Sequence, residues 1–99
     1  MKRLYISQPM KDKTDEEILA VRQQAIEAAK EKLGEDVEVI DSFFQGAPHD
    51  AKPLWFLGKS LQLLSTADIA VFAPGWGDYR GCRHEYKSCL DYGIHVIEL

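Results

Sequence analysis

A glycine-rich segment that leads to a glutamate is the part of this chain best suited to chemistry. Residues 75–85 read Gly-Trp-Gly-Asp-Tyr-Arg-Gly-Cys-Arg-His-Glu and follow an apolar run at 69–73. This order predicts a buried strand, a loop and a helix with Glu85 near its start, where open parallel sheets bind ligands. A carboxylate there can attack a sugar carbon and form a covalent glycosyl intermediate. An exposed glutamate paired with Lys87 or Arg83 is the alternative interpretation.

Three glycines and two arginines surround the predicted start of that helix. Gly75, Gly77 and Gly81 would let backbone N–H groups approach an anion. Arg80 and Arg83 add positive charge that suits a phosphate or a carboxylate. The spacing matches neither the dinucleotide fingerprint nor the P-loop, so an ordinary turn and a solvated helix face stay open as alternatives.

Aromatic residues fall both inside and outside this segment. Trp76 and Tyr79 lie on a predicted loop, where aromatic rings stack on planar ligands or pack against their own loop. Trp55 and Phe56 begin a later predicted helix, and we interpret them mainly as core or interface residues that can also line a pocket. The pair at 43–44 has the same ambiguity.

No metal site or disulfide is predicted. His49, His84 and His95 are scattered, without the spacing of metal ligands. Cys82 and Cys89 lie two turns apart on one predicted helix, about 10 Å, which is too far for a disulfide. Free thiols fit a reducing cytosol, so we expect a cytoplasmic protein. We also expect neither a metal nor a cofactor.

The composition indicates one globular domain. The chain has 99 residues, of which 45% are hydrophobic and 28% charged, and it carries a formal net charge of −4. That charge argues against a nucleic-acid polymer as partner, and no apolar segment is long enough to span a membrane. A domain this small buries a modest share of its surface, so self-association is expected.

Alternation of strands and helices predicts the fold. The predicted strands cover residues 3–7, 37–40, 69–73 and 94–97, and the predicted helices cover residues 15–33, 54–65 and 81–92. Thr14 and Glu17 form a capping-box pattern, and Gly34 and Gly93 are placed to end helices. Residues 41–53 are a loop of functional length. Asp68, just before the third strand, suits a turn or cap.

These elements predict a flavodoxin- or Rossmann-like three-layer α/β/α domain over residues 1–99. Its four-stranded parallel sheet takes the order 2-1-3-4, which places the switch point between the first and third strands. The loops after those strands, 7–10 and 74–76, would then meet over the helix that carries Glu85.

Several short motifs, taken together, resemble one family. The chain is similar to the nucleoside 2-deoxyribosyltransferase-like proteins, above all to their short phage and bacterial branch, DUF4406. The matching segments are Tyr-Ile-Ser-Gln-Pro-Met at 5–10, Ala-Asp-Ile at 67–69, Gly-Trp at 75–76, Arg-Gly-Cys-Arg-x-Glu at 80–85 and Tyr-Gly at 92–93.

The resemblance implies cleavage or exchange of the N-glycosidic bond of a 2′-deoxynucleoside or its 5′-monophosphate. Glu85 matches the family's nucleophile and Gly81 its glycine, and Tyr5 would orient Glu85. Tyr79 stands where a serine is expected, Gln8 where a glycine is usual, and Ser60 where relatives often have an aspartate. The missing carboxylate would weaken proton transfer to the leaving base.

Substrate contacts are predicted from both strand ends. The predicted substrate-binding residues are Ser7, Gln8, Pro9, Met10, Asp41, Ser60, Trp76, Tyr79, Arg80 and Gly81. Backbone amides of 7–11 and 80–82 would hold a phosphate with Arg80, and Trp76 or the loop 43–49 would stack on the base. The resemblance also implies a homodimer or higher oligomer in which a neighbour completes the site.

Two other functions remain open at this point. The same pocket would serve a non-catalytic module that senses or sequesters a nucleotide-derived ligand, and the missing carboxylate favours that alternative. A scaffold that buries residues 53–56 between subunits, with a vestigial pocket, is the third.

Overall fold

Four parallel strands form one sheet in the order β2-β1-β3-β4, as the sequence predicts. A computed structural model describes residues 1–42 and 47–99 of the chain. The strands are β1 (Lys2–Ser7), β2 (Val37–Val39), β3 (Ile69–Phe72) and β4 (His95–Glu98). The helices are α1 (Asp15–Leu33), α2 (Pro53–Leu64) and α3 (Arg80–Tyr92), and a 3₁₀ turn (Trp76–Asp78) precedes α3.

The sheet separates two apolar clusters, which confirms the three-layer architecture. Side chains alternate along β1 because successive residues of a strand face opposite sides of the sheet. Leu4 and Ile6 pack against Ala25 and Ala29 of α1 on one face. Tyr5 lies on the other face, in the cluster that α2 and α3 cover.

Strands β1 and β3 form the centre of the sheet and end together. Ser7 pairs with Phe72 at the last position of their register. At the opposite end the Arg3 N–H donates to Asp68 Oδ2 at 2.8 Å, and the Asp68 N–H donates to the Arg3 carbonyl at 2.9 Å. Asp68 therefore pins the turn before β3, and the loops after both strands leave from one edge.

Local signals set most of the helix ends. The capping box at the start of α1 is present, with Thr14 and Glu17 exchanging two hydrogen bonds. Gly34 and Gly93 end α1 and α3 with φ of 69° and 74°, a left-handed conformation that glycine adopts readily.

Element boundaries differ from the predicted ones by at most one residue. Helix α2 begins at Pro53, whose fixed φ suits the first turn of a helix. The last strand begins at His95, one residue late, because the Ile94 N–H still bonds back to the Cys89 carbonyl at the end of α3. Trp76 lies in a 3₁₀ turn within the predicted loop. The aromatic pair at 43–44 lies outside the described residues.

Among residues 1–42 and 47–99, no helix combines the length and the apolar character needed to cross a bilayer.

Candidate functional site

Glu85 is a buried carboxylate held by two hydroxyl groups. It lies on the inner face of α3 and is 7% exposed. The Tyr5 hydroxyl donates to Oε1 at 3.1 Å, and the Ser7 hydroxyl donates to Oε2 at 2.9 Å. Because β1 places both donors on the face that α3 covers, the ends of two distant chain segments form one constellation.

The exposed alternative for Glu85 is wrong. Lys87 pairs with Asp91 at 3.2 Å along the outer face of α3. Arg83 donates to the Gly77 carbonyl at 3.0 Å and so ties the start of α3 to the glycine-rich segment.

The surroundings of Glu85 bring its proton equilibrium close to neutral pH. Burial raises the pKa of Glu85 to about 7, and the hydrogen bonds from Ser7 and Tyr5 oppose that rise. A carboxyl group in this state supplies both the ionised and the protonated form at pH 7. Such a perturbed group in a pocket is typical of a functional site.

Tyr5 stays a neutral donor toward the carboxylate. Burial raises the pKa of its phenol above the usual range, the negative charge of Glu85 adds to the rise, and a hydrogen bond with Ser60 opposes it. Glu85 is thus hydrogen-bonded to Tyr5 and Ser7 at the pocket wall, where Ser60 is also present.

Glu85 lies where two cavities meet. One cavity of about 400 Å³ is lined by Tyr5, Ile6, Ser7, Gln8, Met10, Ser42, Phe56, Ser60 and Glu85. It adjoins a wider cleft of about 1120 Å³, to which Phe56, Ser60 and Glu85 also belong. The remaining walls of the cleft come from Lys11, Lys52, Pro53, Leu54, Leu57, Arg80, Gly81 and His84.

The structure brings most of the predicted site residues to this edge of the sheet. Ser7, Gln8, Met10 and Ser60 line the smaller cavity, and Arg80 and Gly81 line the cleft. A third cavity of about 350 Å³ contains Pro9 and Tyr79 and shares Gln8 with the first.

Two predicted contacts lie away from the carboxylate. Asp41 is exposed beyond the end of β2, where its charge acts on the buried Arg22. The indole of Trp76 stacks on Tyr86 at 4.3 Å between ring centroids, and its Nε1–H donates to Glu98 at 3.2 Å. Trp76 is therefore not among the walls of either cavity around Glu85, because the ring turns inward onto the sheet edge.

Positive charge surrounds the cleft although the chain is acidic overall. Lys11, Lys52 and Arg80 come from three separate segments and meet around the opening above Glu85, where the imidazole of His84 also lies. Among the described residues, none of these four side chains enters an ion pair with a carboxylate. The first N–H groups of α3 emerge at the same place without a side-chain cap, and a helix N-terminus favours an anion.

Sequence reasoning missed Arg22 and Ser42. It left open whether Phe56 lines a pocket, and Phe56 lines the cavity beside Glu85. Arg22 is buried on α1 and donates to Ser42. An arginine within the apolar stripe of a helix was the available signal, since Ile18 and Ala25 flank it at helical spacing. Nothing in the sequence marked Ser42, because the end of a strand does not tell which way the next side chain faces.

Within the described segments, no three His, Cys, Asp or Glu side chains are grouped as ligands for a metal ion.

Comparison with known proteins agrees with this architecture. No family model matches the chain, and no curated protein matches it in sequence. Similar solved structures include a conserved protein from Enterococcus faecalis V583, with a TM-score of 0.68 and 14% identity over 99% of this chain and 62% of that one. Another is a 2-deoxyribosyltransferase from the psychrotolerant bacterium Bacillus psychrosaccharolyticus, a biocatalyst for the synthesis of antiviral and antitumoral nucleosides.

The match to the transferase has a TM-score of 0.61 and 18% identity over 97% of this chain and 70% of that one. At these identities the likeness shows the fold: the chain has the fold of a 2-deoxyribosyltransferase. It spans 62% of the length of the Enterococcus protein. Membership of the short phage and bacterial branch stays a prediction.

Proposed function

We propose that this protein cleaves or exchanges the N-glycosidic bond of a 2′-deoxynucleoside or its 5′-monophosphate through a covalent deoxyribosyl–Glu85 ester. The observation that carries the proposal is the buried Glu85 carboxylate, held by Tyr5 and Ser7 at the wall of a cavity. The shared fold with a 2-deoxyribosyltransferase supports it.

In the first step, one Glu85 oxygen attacks C1′ of the deoxyribose while the bond from C1′ to the base nitrogen breaks. The base leaves with the bonding electron pair and takes up a proton. Tyr5 and Ser7 keep the carboxylate oriented during the attack. In the second step, water or the N–H nitrogen of another base attacks C1′ and loses a proton to solvent. The bond from C1′ to the Glu85 oxygen breaks, and Glu85 is released as a carboxylate.

The leaving base takes its proton from water in this proposal. Glu85 is the one Asp or Glu side chain among the described walls of the two cavities, and Ser60 also lines both of them. The absence of a second carboxylic acid from these walls predicts slow turnover of bases that leave poorly without protonation.

The positive charge of Lys11, Lys52 and Arg80 around the cleft favours binding of the 5′-monophosphate over the nucleoside. A phosphate between Lys11, Lys52 and Arg80 would meet charge-assisted donors, with the uncapped N–H groups of α3 nearby. A neutral nucleoside carries no phosphate that could pair with these cationic side chains.

Chromatography of product mixtures tests the proposal. The purified protein is incubated with the four deoxynucleosides and their 5′-monophosphates, with and without an acceptor base, beside Glu85→Ala and an exposed control, Glu35→Gln. Free base that requires intact Glu85 establishes cleavage, and a new nucleoside or nucleotide establishes transfer.

Absence of product from every substrate contradicts the enzyme proposal for this set. A ligand-dependent rise in melting temperature without product would then favour the non-catalytic binding module. Equal rates for Glu85→Ala and the intact protein would remove Glu85 from the reaction.

We also propose that the chain self-associates and resides in the cytoplasm. Leu54, Trp55 and Phe56 are exposed apolar residues at the start of α2, beside the cleft. Cys82 and Cys89 are free thiols, as is usual in a reducing compartment.

A further inference from the structure

A buried arginine lies behind the pocket and takes no part in the proposed chemistry. Arg22 of α1 is 8% exposed. Burial lowers the pKa of its guanidinium, and the negative charge of Asp41 opposes that effect. A buried charge is costly unless its hydrogen bonds are satisfied, so the partners of Arg22 indicate its role.

Arg22 connects the ends of two neighbouring strands. Its Nη1 donates to Gln8 Oε1 and to Ser42 Oγ, each at 3.2 Å. Its Nη2 donates to the Ile40 carbonyl at 3.4 Å. Gln8 follows β1, whereas Ile40 and Ser42 follow β2, so one side chain holds the exits of both strands against α1.

Gln8 completes this link to the helix. Its Nε2 donates to the Ile18 carbonyl at 3.2 Å, one turn before Arg22 on α1. Gln8 also lines the cavity together with Ser42 and Glu85. Two residues held by Arg22 are therefore walls of the candidate site.

We propose that Arg22 is a positioning residue for ligand binding, which sets the separation of the segments 8–10 and 40–42 and so the width of the cavity above Glu85. The identity of the ligand rests on the proposed function. Tyr5 and Ser7, not Arg22, hold the carboxylate. Loss of Arg22 therefore weakens substrate binding while the attack by Glu85 proceeds at nearly the same rate.

The planar fork of the guanidinium matters as well as its charge. Arg22 reaches three acceptors on two segments, and a lysine ammonium offers one nitrogen in place of that fork. Arg22→Lys should thus recover part of the substrate affinity that Arg22→Met loses.

Steady-state kinetics with the deoxynucleotide that the intact protein cleaves tests the proposal. We expect Arg22→Met to raise KM about tenfold, with kcat within about threefold and the pH profile unmoved. Arg22→Lys should fall between Arg22→Met and the intact protein, and Gln24→Met on the exposed face of α1 should match the intact protein. An unchanged KM in folded Arg22→Met, or a displaced pH profile, overturns the proposal.

Hydrogen exchange separates this proposal from the proposed function. Without any ligand, Arg22→Met should speed amide exchange about tenfold in peptides that span 8–10 and 40–42, but not in α3. Unchanged exchange overturns the positioning role even if the protein is an active enzyme. Faster exchange in a protein that cleaves no substrate supports the positioning role and contradicts the enzyme proposal alone.

Two smaller variants keep the test decisive if Arg22→Met does not fold. Gln8→Ala removes the bond from Arg22 to the segment 8–10, and Ser42→Ala removes one of its two bonds to the segment 40–42. Each variant should speed amide exchange in its own segment. In the double variant, the loss of protection should be smaller than the sum of the two single losses, because both bonds act through the Arg22 side chain. Unaltered exchange in both single variants contradicts the proposal.

Discussion

The burial of Glu85 carries a cost to stability at high pH. Its folded-state pKa of about 7 lies above the ordinary value of 4.5, so the folded chain binds a proton more tightly than the unfolded chain. The resulting stabilisation is complete below pH 4.5 and is lost as the pH rises through 7. The difference corresponds to about 3 kcal/mol at alkaline pH.

Glu85→Gln should therefore stabilise the protein at pH 8 and abolish the proposed glycosidic cleavage. The amide keeps a carbonyl oxygen for Tyr5 but carries no charge to bury. Urea denaturation should show a gain that approaches about 3 kcal/mol at pH 8 and shrinks toward pH 4.5. The exposed Glu35→Gln control should show no such pH dependence, and a Glu85→Gln gain that is equal at both pH values would contradict the argument.

Ser7 should set the pH at which the proposed cleavage reaction begins. Attack requires ionised Glu85, so kcat/KM should rise with pH through an apparent pKa of about 7. Ser7→Ala removes a hydrogen bond that favours the carboxylate, which should move this limb to higher pH and lower the rate at pH 7. A pH–rate profile that stays in place would show that another group controls the rise.

At the scale of elements, Trp76 holds the segment between β3 and α3. It stacks on Tyr86, contacts Phe72 edge-on at 5.5 Å and donates to Glu98, while Tyr86 also donates to Glu98 at 3.3 Å. These contacts fasten the glycine-rich segment to the end of β4.

Trp76→Phe separates that packing role from the predicted base contact. Phenylalanine keeps an aromatic ring but loses the indole N–H, so we expect a loss of about 1 kcal/mol in the free energy of unfolding. KM should stay within about twofold of the intact protein. A large rise in KM at unchanged stability would instead favour stacking of Trp76 on the substrate base.

Replacement of two glycines by alanine should change the free energy of unfolding in opposite directions. Gly93 has φ of 74°, where alanine costs about 1 kcal/mol. Gly58 lies inside α2 with no atom within 4 Å of an added Cβ, so Gly58→Ala should stabilise by about 0.8 kcal/mol. Thermal denaturation of both variants checks this pair, and a shift of the same sign in both would contradict it.

Sequence alone predicted the elements better than the side chains they carry. Helix ends are marked by local backbone chemistry at Thr14, Gly34 and Gly93. These caps depend on residues close in sequence, so they can be recognised without knowledge of the fold. The continuous apolar run of β3 indicates a central parallel strand. The inward turn of Trp76 and the link from Arg22 depend on contacts across the sheet, which no local pattern records.

For the whole molecule, the chemistry of the surface predicts self-association. The apolar side chains at 54–56 stand beside the cleft in a domain of 11.2 kDa. Sedimentation at micromolar concentration should give at least twice that mass. Trp55→Glu should reduce the mass toward that of the monomer. Leu90→Glu, at an exposed apolar position near the C-terminal end of α3, should leave the mass unchanged. A monomer at every concentration would contradict this expectation.

The separation of the site residues along the chain has a consequence for folding. Glu85 lies 80 residues from Tyr5 and 78 from Ser7, so the constellation forms by closing a loop that contains most of the chain. Loop closure over such a distance carries an entropic cost that local contacts do not. The constellation therefore requires almost the whole chain, and a fragment that ends before α3 keeps Tyr5 and Ser7 but lacks the carboxylate that they hold.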